Sequence, residues 1–296
     1  MKKLIKAIMP HWVRQKLNRA RMKRVLTSAR LAREAVGQVD GEWRARIDEV
    51  ISAPDNAAIH KVPEAGTLHG HVITMHNGVR VCANGYYGSG ILNMLLENKG
   101  VHEPQEERAF EAIIGHLPKE CTMLELGAYW GFYSLSLLQQ RPIANCFLVE
   151  PDPINLLSGE LNFSLNRRSG CFLQAGVGRT PQVEPKTVSV DSFCSEYRIN
   201  HLDILHADIQ GSELDMLEGA QRMLSSGRVD FIFISTHSNT LHADCMAKLE
   251  GVGYVILADA NLDATFSHDG LIVAKHSRIS EPSTVTITRR NAEQGS

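Results

Sequence analysis

The sequence predicts an α/β protein: a Rossmann-like, doubly wound, mostly parallel seven-stranded sheet with an antiparallel edge strand, preceded by an N-terminal helical and hairpin extension. Three observations carry this expectation. From Thr122 onward, short apolar runs alternate with helical stretches, which is the pattern of βαβ units. The first run ends in the glycine-bearing turn "ELGAYWG" just before a helix, and the last two runs are joined only by the loop "ANLDATFSHDG". A loop that short joins antiparallel neighbours, so these two strands should pair at one edge of the sheet.

Taken in order, residues 1–60 read as a basic helical extension. Its second helix, "GEWRARIDEVIS", starts after Asp40 and stops before Pro54. Residues 61–107 form a hairpin and cap region. There "HVITMHNGVRVCA" places two β-rich runs around Asn77-Gly78, a dipeptide suited to a type I′ turn with positive φ at both positions. Helices through "ILNMLLENKG" and "PQEERAFEAIIGHL" lead into the main domain, residues 108–280. Its strands are expected at "TMLEL", "NCFLVE", "GCFLQAG", "LDILHADI", "VDFIFIST", "GYVILAD" and "GLIVAKH", with helices near 131–140, 154–166, 212–225 and 240–251. The tail, 281–296, shows no periodicity and is expected to be mobile.

Composition bounds the function. The chain has 296 residues, 43% of them hydrophobic and 22% charged, with a net charge of -2, which fits an ordinary globular protein and argues against a dedicated nucleic-acid binder. The six cysteines form no C-x-x-C pair and several sit in apolar runs, as buried thiols do in a reducing compartment, so a cytoplasmic location is expected. Charge is uneven: residues 1–34 hold eleven cations against the single acid Glu34. Leu4, Ile5, Ile8, Met9, Trp12 and Val13 interleave with those cations, which suggests peripheral contact with an anionic membrane, on its inner face. Pro10 interrupts that pattern, and a solvated basic helix is the plainer alternative.

Ligands of such sheets bind beyond the C-terminal strand ends, where the first strand–helix turn offers backbone N–H groups. Gly127 would let the backbone approach a ligand, and Gly131 would allow close packing as the helix starts. The spacing G-x-x-x-G differs from the dinucleotide fingerprint and lacks the ending of a phosphate loop. Glu150 closes the second strand nineteen positions past Gly131, where an acid can bind both ribose hydroxyls.

The stretches "MLELGAYWGFYSLSL", "FLVEPDP", "VSVDSF" and "ILHADIQGSELDMLEGA" resemble the FkbM-type methyltransferases, a branch of the class I S-adenosylmethionine (SAM) enzymes, over roughly residues 100 to 275. The resemblance implies a seven-stranded sheet with an antiparallel last strand and SAM as cofactor. It places Gly127, Ala128, Tyr129, Trp130, Gly131 and Phe132 around the methionine part, Glu150 with Pro151 and Asp152 at the ribose, and Ala175 and Gly176 near the adenine. The chain departs from the family where Tyr129-Trp130 stands in a loop that often reads G-A-N-x-G and where His206 stands in place of a lysine. The cofactor's sulfonium favours an acidic or aromatic wall, for which Glu125, Tyr129, Trp130 and Phe132 are candidates.

Asp208 closes strand four and His237 closes strand five, so both point to the ligand edge. The leading expectation makes His237 the general base, with Asp208 orienting acceptor or base. A variant places a divalent metal such as Mg among Asp208, His237, Glu213 and His206. Glu213 also has a plainer reading, as an acid complementing a helix N-terminus, and His242 and His268 read as surface residues. Tyr86, Tyr87, Glu103 and Gln105 are candidate substrate contacts. The expected reaction is O-methylation of a sugar, glycan or glycolipid hydroxyl. RNA, a secondary metabolite or a non-catalytic SAM-binding role are the alternatives, RNA being disfavoured by the core's negative balance.

Overall fold

A computed structural model describes residues 11–83 and 89–290, with side chains of the first helix described from residue 20. In chain order the elements are α1 (His11–Glu34), α2 (Gly41–Ser52), β1 (Leu68–His69), β2 (Val72–Thr74), β3 (Arg80–Cys82), α3 (Ser89–Glu97) and α4 (Pro104–Ile114). The sheet domain follows with β4 (Thr122–Leu126), α5 (Phe132–Gln140), β5 (Asn145–Val149), α6 (Pro153–Leu165), β6 (Cys171–Leu173), β7 (Gly176–Val177), β8 (Thr187–Val188) and α7 (Val190–Tyr197). It ends with β9 (Leu202–Ala207), α8 (Glu213–Gly219), α9 (Gln221–Ser225), β10 (Val229–Thr236), α10 (Asn239–Gly251), β11 (Tyr254–Ala260) and β12 (Gly270–His276).

The main sheet has seven strands in the order β11-β12-β10-β9-β4-β5-β6. Its strands run parallel except β12, which is antiparallel to both β10 and β11. The last two strands therefore pair at the edge as their short loop requires, with the antiparallel strand as the inner member of the pair. Alternation along each central strand divides the core between two faces. Met123, Ile204, Phe231 and Phe233 face one side with Phe110 and Phe132, whereas Leu124, Leu205, Ile232 and Ile234 face the other with Phe193, Met216 and Leu249.

Some local expectations change. In the hairpin, Gly78 has φ of +86° but Asn77 is not in the left-handed region, so the turn is a five-residue loop closed by the Met75 N–H to Val79 O bond of 2.7 Å. Asn77 instead spends its side chain on the Val79 N–H and on Ser136 Oγ. The helix expected over 212–225 breaks at Ala220 into α8 and α9. Helix α7 has no hydrophobic periodicity long enough to read; it is set by the capping box of Ser189 and Ser192.

The extension is part of the same body. Val25 and Ala29 of α1 pack against Ile154, Leu157 and Leu161 of α6. The hairpin is tied to α6 by the Arg80 and Cys82 N–H groups, which donate to Asn166 and Asn162. It thus lies beside the sheet domain, and the element that covers the strand ends is α2, begun by the Asp40 cap on the Trp43 N–H. The tail is not loose as far as residue 290. Val285 N–H donates to Leu257 O, Thr288 N–H donates to the fully buried Asp55 carboxylate, and Arg290 pairs with Glu49 of α2. All six cysteines are free thiols, five of them buried.

Candidate active site

Beyond the C-terminal ends of β4, β9 and β10 lies a cleft of about 920 Å³, a size common for small-molecule sites. One wall is the glycine loop with Glu125, Gly127, Ala128, Tyr129 and Trp130; the floor includes His102, Glu103, Tyr133 and His206; the far side carries Asp208, Gln210, His237, Ser267, His268 and Asp269. The roof is α2, through Asp40, Trp43, Arg46 and Glu49.

The loop is held from within. The N–H groups of Gly127 and Ala128 both donate to Val149 O, and Gly131 N–H donates to Ala128 O at 2.6 Å. Tyr129, at φ of +40°, stacks on Trp130 with ring centroids 5.5 Å apart. Its N–H donates to Glu150 Oε2 at 3.1 Å, while Asp152 N–H donates to Oε1 at 2.8 Å. Burial raises the Glu150 carboxyl above its ordinary value against these two bonds.

Of the residues expected around a cofactor, Glu125, Gly127, Ala128, Tyr129 and Trp130 line the cleft. Phe132 and Ala175 do not: their side chains are packed in the two core faces. Gly131 faces Phe163 and Leu148, Gly176 pairs with β8, and Glu150, Pro151 and Asp152 are not among the cleft-lining residues. Gly127 makes its close approach to the Asp208 backbone, which a Cβ would meet at 1.6 Å.

Asp208 and His237 do come together. His237 Nε2 lies 3.3 Å from Asp208 Oδ1 and 3.4 Å from Asp269 Oδ1, and Nδ1 lies 2.9 Å from Glu213 Oε1. Burial disfavours the imidazolium, yet these three carboxylates outweigh it and lift His237 to about 10. A ring raised in this way favours the imidazolium, which has no lone pair with which to act as a general base, and this weighs against the role expected of His237. Because the folded-state value lies above the ordinary histidine value, the stability this cluster contributes is full below pH ~6.5 and is lost as pH rises through about 10. NMR titration should find both ring nitrogens of His237 protonated at pH 8; a ring titrating near the ordinary value would restore it as the base.

The metal variant does not assemble from the four residues expected. His206 Nε2 is 2.7 Å from Glu106 Oε1, and Glu213 is on the opposite ring nitrogen of His237 from Asp208. Glu213 is fully buried, and its Oε1 also accepts the N–H groups of Ile209 and Gly211, so it shapes the turn after β9. His242, expected at the surface, is buried and bonded to Thr236 Oγ1, whereas His268 lines the cleft.

Among the substrate candidates, Glu103 lines the cleft floor. Gln105 is not: it is buried, accepts from Thr265 Oγ1 and Phe266 N–H, and donates to Thr288 O, clamping the tail onto α4. Tyr86 and Tyr87 lie outside the described residues, as does the start of the basic segment. Sequence reasoning missed Asp269, His102, Tyr133 and the α2 roof. The one available signal was the acid-rich start of α4, "HEPQEER", whose Glu106 and Glu107 turn inward.

Residues 155–256 match the family model described as the methyltransferase FkbM domain. No curated protein matches the chain. Among solved structures, precorrin-6y C5,15-methyltransferase from Geobacter metallireducens GS-15 is similar at 16% identity, over 58% of this chain and 87% of that one, with a TM-score of 0.42. Ribosomal protein L11 methylase from Lactobacillus delbrueckii subsp. bulgaricus is similar at 12% identity, over 58% and 78%, with a TM-score of 0.41. TrmK of M. capricolum, solved with S-adenosyl-homocysteine, is similar at 10% identity, over 56% and 66%, with a TM-score of 0.40.

Proposed function

From the match of residues 155–256 to the methyltransferase FkbM domain, we propose that the protein is a SAM-dependent methyltransferase acting on a hydroxyl group of a sugar, glycan or glycolipid. The observation that supports this reading is the far side of the cleft. Asp208, Gln210, His237, Ser267, His268 and Asp269 offer closely spaced donors and acceptors suited to a polyhydroxylated acceptor.

The donor carries its methyl on a sulfonium, so transfer forms an O–CH3 bond as the S–CH3 bond breaks, leaving a neutral thioether. The cleft suits that cation, because Glu103, Glu125, Asp208 and Asp269 surround it together with Tyr129 and Trp130. The chain's residues then have two tasks. They hold the acceptor oxygen in line with the methyl group, and they take the hydroxyl proton as its oxygen gains the new bond. The Asp208–His237–Asp269 cluster receives that proton on a carboxylate: burial, with Asp208 alongside, raises Asp269 above its ordinary value and makes it more basic than an ordinary carboxylate. The His237 imidazolium keeps the two acids together at neutral pH.

Location is a further part of the reading. The outer side of α1 exposes Lys23, Arg24, Arg30 and Arg33 beside Leu26 and Leu31, a basic and apolar face fitted to anionic lipid. Among the described residues no helix is long and apolar enough to cross a membrane.

The test is transfer of a labelled methyl group from SAM to a panel of oligosaccharides, glycolipids in anionic and in neutral vesicles, and RNA. The expected product is a methyl ether, formed fastest on glycolipid in anionic vesicles, with that advantage lost in K23E/R30E. Label found on RNA alone, or on nitrogen, would overturn the acceptor assignment.

A further inference from the structure

We propose that Glu103 is the acceptor for the α-ammonium group at the amino-acid end of the methyl donor. The inference rests on the cofactor reading above and adds to it a binding residue from outside the glycine loop.

Available lone pairs decide which acid can take this group. An ammonium brought beside the loop has three N–H donors and needs a carboxylate with an oxygen to spare. Glu125, which is 3% exposed, accepts the Ser134 N–H at 3.1 Å. Glu150 spends both oxygens on the Tyr129 and Asp152 N–H groups. Glu106 is taken by His206 and Ser235, and Glu107 by His76, His102 and two backbone N–H groups. Glu103 differs. Both its contacts, the Tyr133 hydroxyl at 2.7 Å and His102 Nε2 at 3.4 Å, are made by Oε2. Oε1 receives no donor from the described residues, and the side chain is 19% exposed in the cleft floor. It also stands immediately before Pro104, the first residue of α4, without capping that helix through its side chain.

Its surroundings couple this contact to a proton. Burial, together with Glu106 and Asp208, pushes the Glu103 carboxyl up to about 7 against the opposing pull of His102 and Tyr133. A cation placed on Oε1 favours the ionised carboxylate. Binding below neutral pH should therefore expel a proton, and affinity should climb with pH up to about 7 and then level off.

Calorimetric titration of the full chain separates the possibilities without knowledge of the acceptor. The probes are S-adenosylhomocysteine and 5′-methylthioadenosine, which shares the nucleoside and sulfur but lacks the amino-acid end. Titrations at pH 6 and pH 8, in buffers of different ionisation enthalpy, report proton release. The expected result is that E103Q weakens S-adenosylhomocysteine binding by about tenfold or more, leaves 5′-methylthioadenosine unchanged and abolishes proton release at pH 6. Unchanged S-adenosylhomocysteine affinity in E103Q, or an equal loss for both probes, would overturn the assignment while leaving the cofactor reading intact. Failure of the unaltered protein to bind either probe would instead remove the cofactor reading itself.

Discussion

Gly127→Ala should be the most damaging single methyl group that can be added at the cleft. The residue has φ of +71°, and a Cβ there would lie 1.6 Å from the Asp208 carbonyl oxygen and 2.7 Å from its carbon. Neither atom belongs to a side chain that can swing aside. Asp208 follows β9, its N–H donates to Leu126 O at 3.0 Å, and β4 and β9 are neighbours in the centre of the sheet. Relief requires parting the ends of two central strands, where His237, Glu213 and the glycine loop all meet. Backbone strain adds ~1–2 kcal/mol, and the total should exceed ~4 kcal/mol, the range of exceptional substitutions. Gly131→Ala is the matched control, because its φ is also positive, at +70°, but its Cβ meets the side chains of Phe163 and Leu148 at 3.0 and 3.1 Å. Urea denaturation should show G127A losing most of its stability while G131A loses roughly the strain term alone. Equal midpoints for the two would mean that the close approach is not what the glycine serves.

The contrast between these two glycines also marks what was legible in the sequence. The strands of the main sheet could be read because each is an apolar run bounded by turn residues, and their C-terminal ends brought Asp208, His237 and the loop to one edge. The purpose of Gly127 was read as room for a ligand, whereas the neighbour it admits is the Asp208 backbone, a contact between strands far apart in sequence. The raised pKa of His237 was hidden for the same reason: beside Asp208 stand Glu213 and Asp269, which the fold brings in from a helix start and from the loop before β12. Periodicity says that a helix face is buried without saying against what. Thus α2 could be placed from its cap and its ending but not recognised as the roof of the cleft, and the acids Glu106 and Glu107 of α4 turn inward, leaving Glu103 just before the helix to line the cleft. The tail showed no long period because, among its described residues, only Val285 and Ile287 pack on the core, and N–H bonds from Val285 to Leu257 O and from Thr288 to Asp55 complete its attachment.

Glu107→Gln should cost ~3–5 kcal/mol, the usual penalty for breaking a buried ion pair from one side. The carboxylate is 1% exposed, with Oε2 at 2.9 Å from His76 Nε2 and Oε1 at 2.6 Å from His102 Nδ1, and Oε1 also accepts the His102 and Glu103 N–H groups. Burial alone would raise this carboxyl, but the two histidines hold it well below the usual range, while His76 is raised and His102 is lifted to about 9. Linkage fixes the sign on each side. The histidine share of the stability is full below pH ~6.5 and is lost as pH rises through about 9; the Glu107 share is full above pH ~4.5 and is lost only as pH falls toward its lowered value. The wild-type melting temperature should therefore decline between pH 6.5 and 9, and in E107Q that slope should flatten from a lower starting point. The consequence reaches the site, because the His102 ring lies edge-on to Trp130 and Phe132 at 5.1 Å and beside Oε2 of Glu103. A neutral, loosened His102 removes a wall from the glycine loop and a charge from the proposed ammonium acceptor, so E107Q should weaken S-adenosylhomocysteine binding as well. A melting temperature and pH slope equal to those of the wild type would show that the two histidines are satisfied without Glu107, and the account of the cleft floor as an ion-paired support for the loop would then fail.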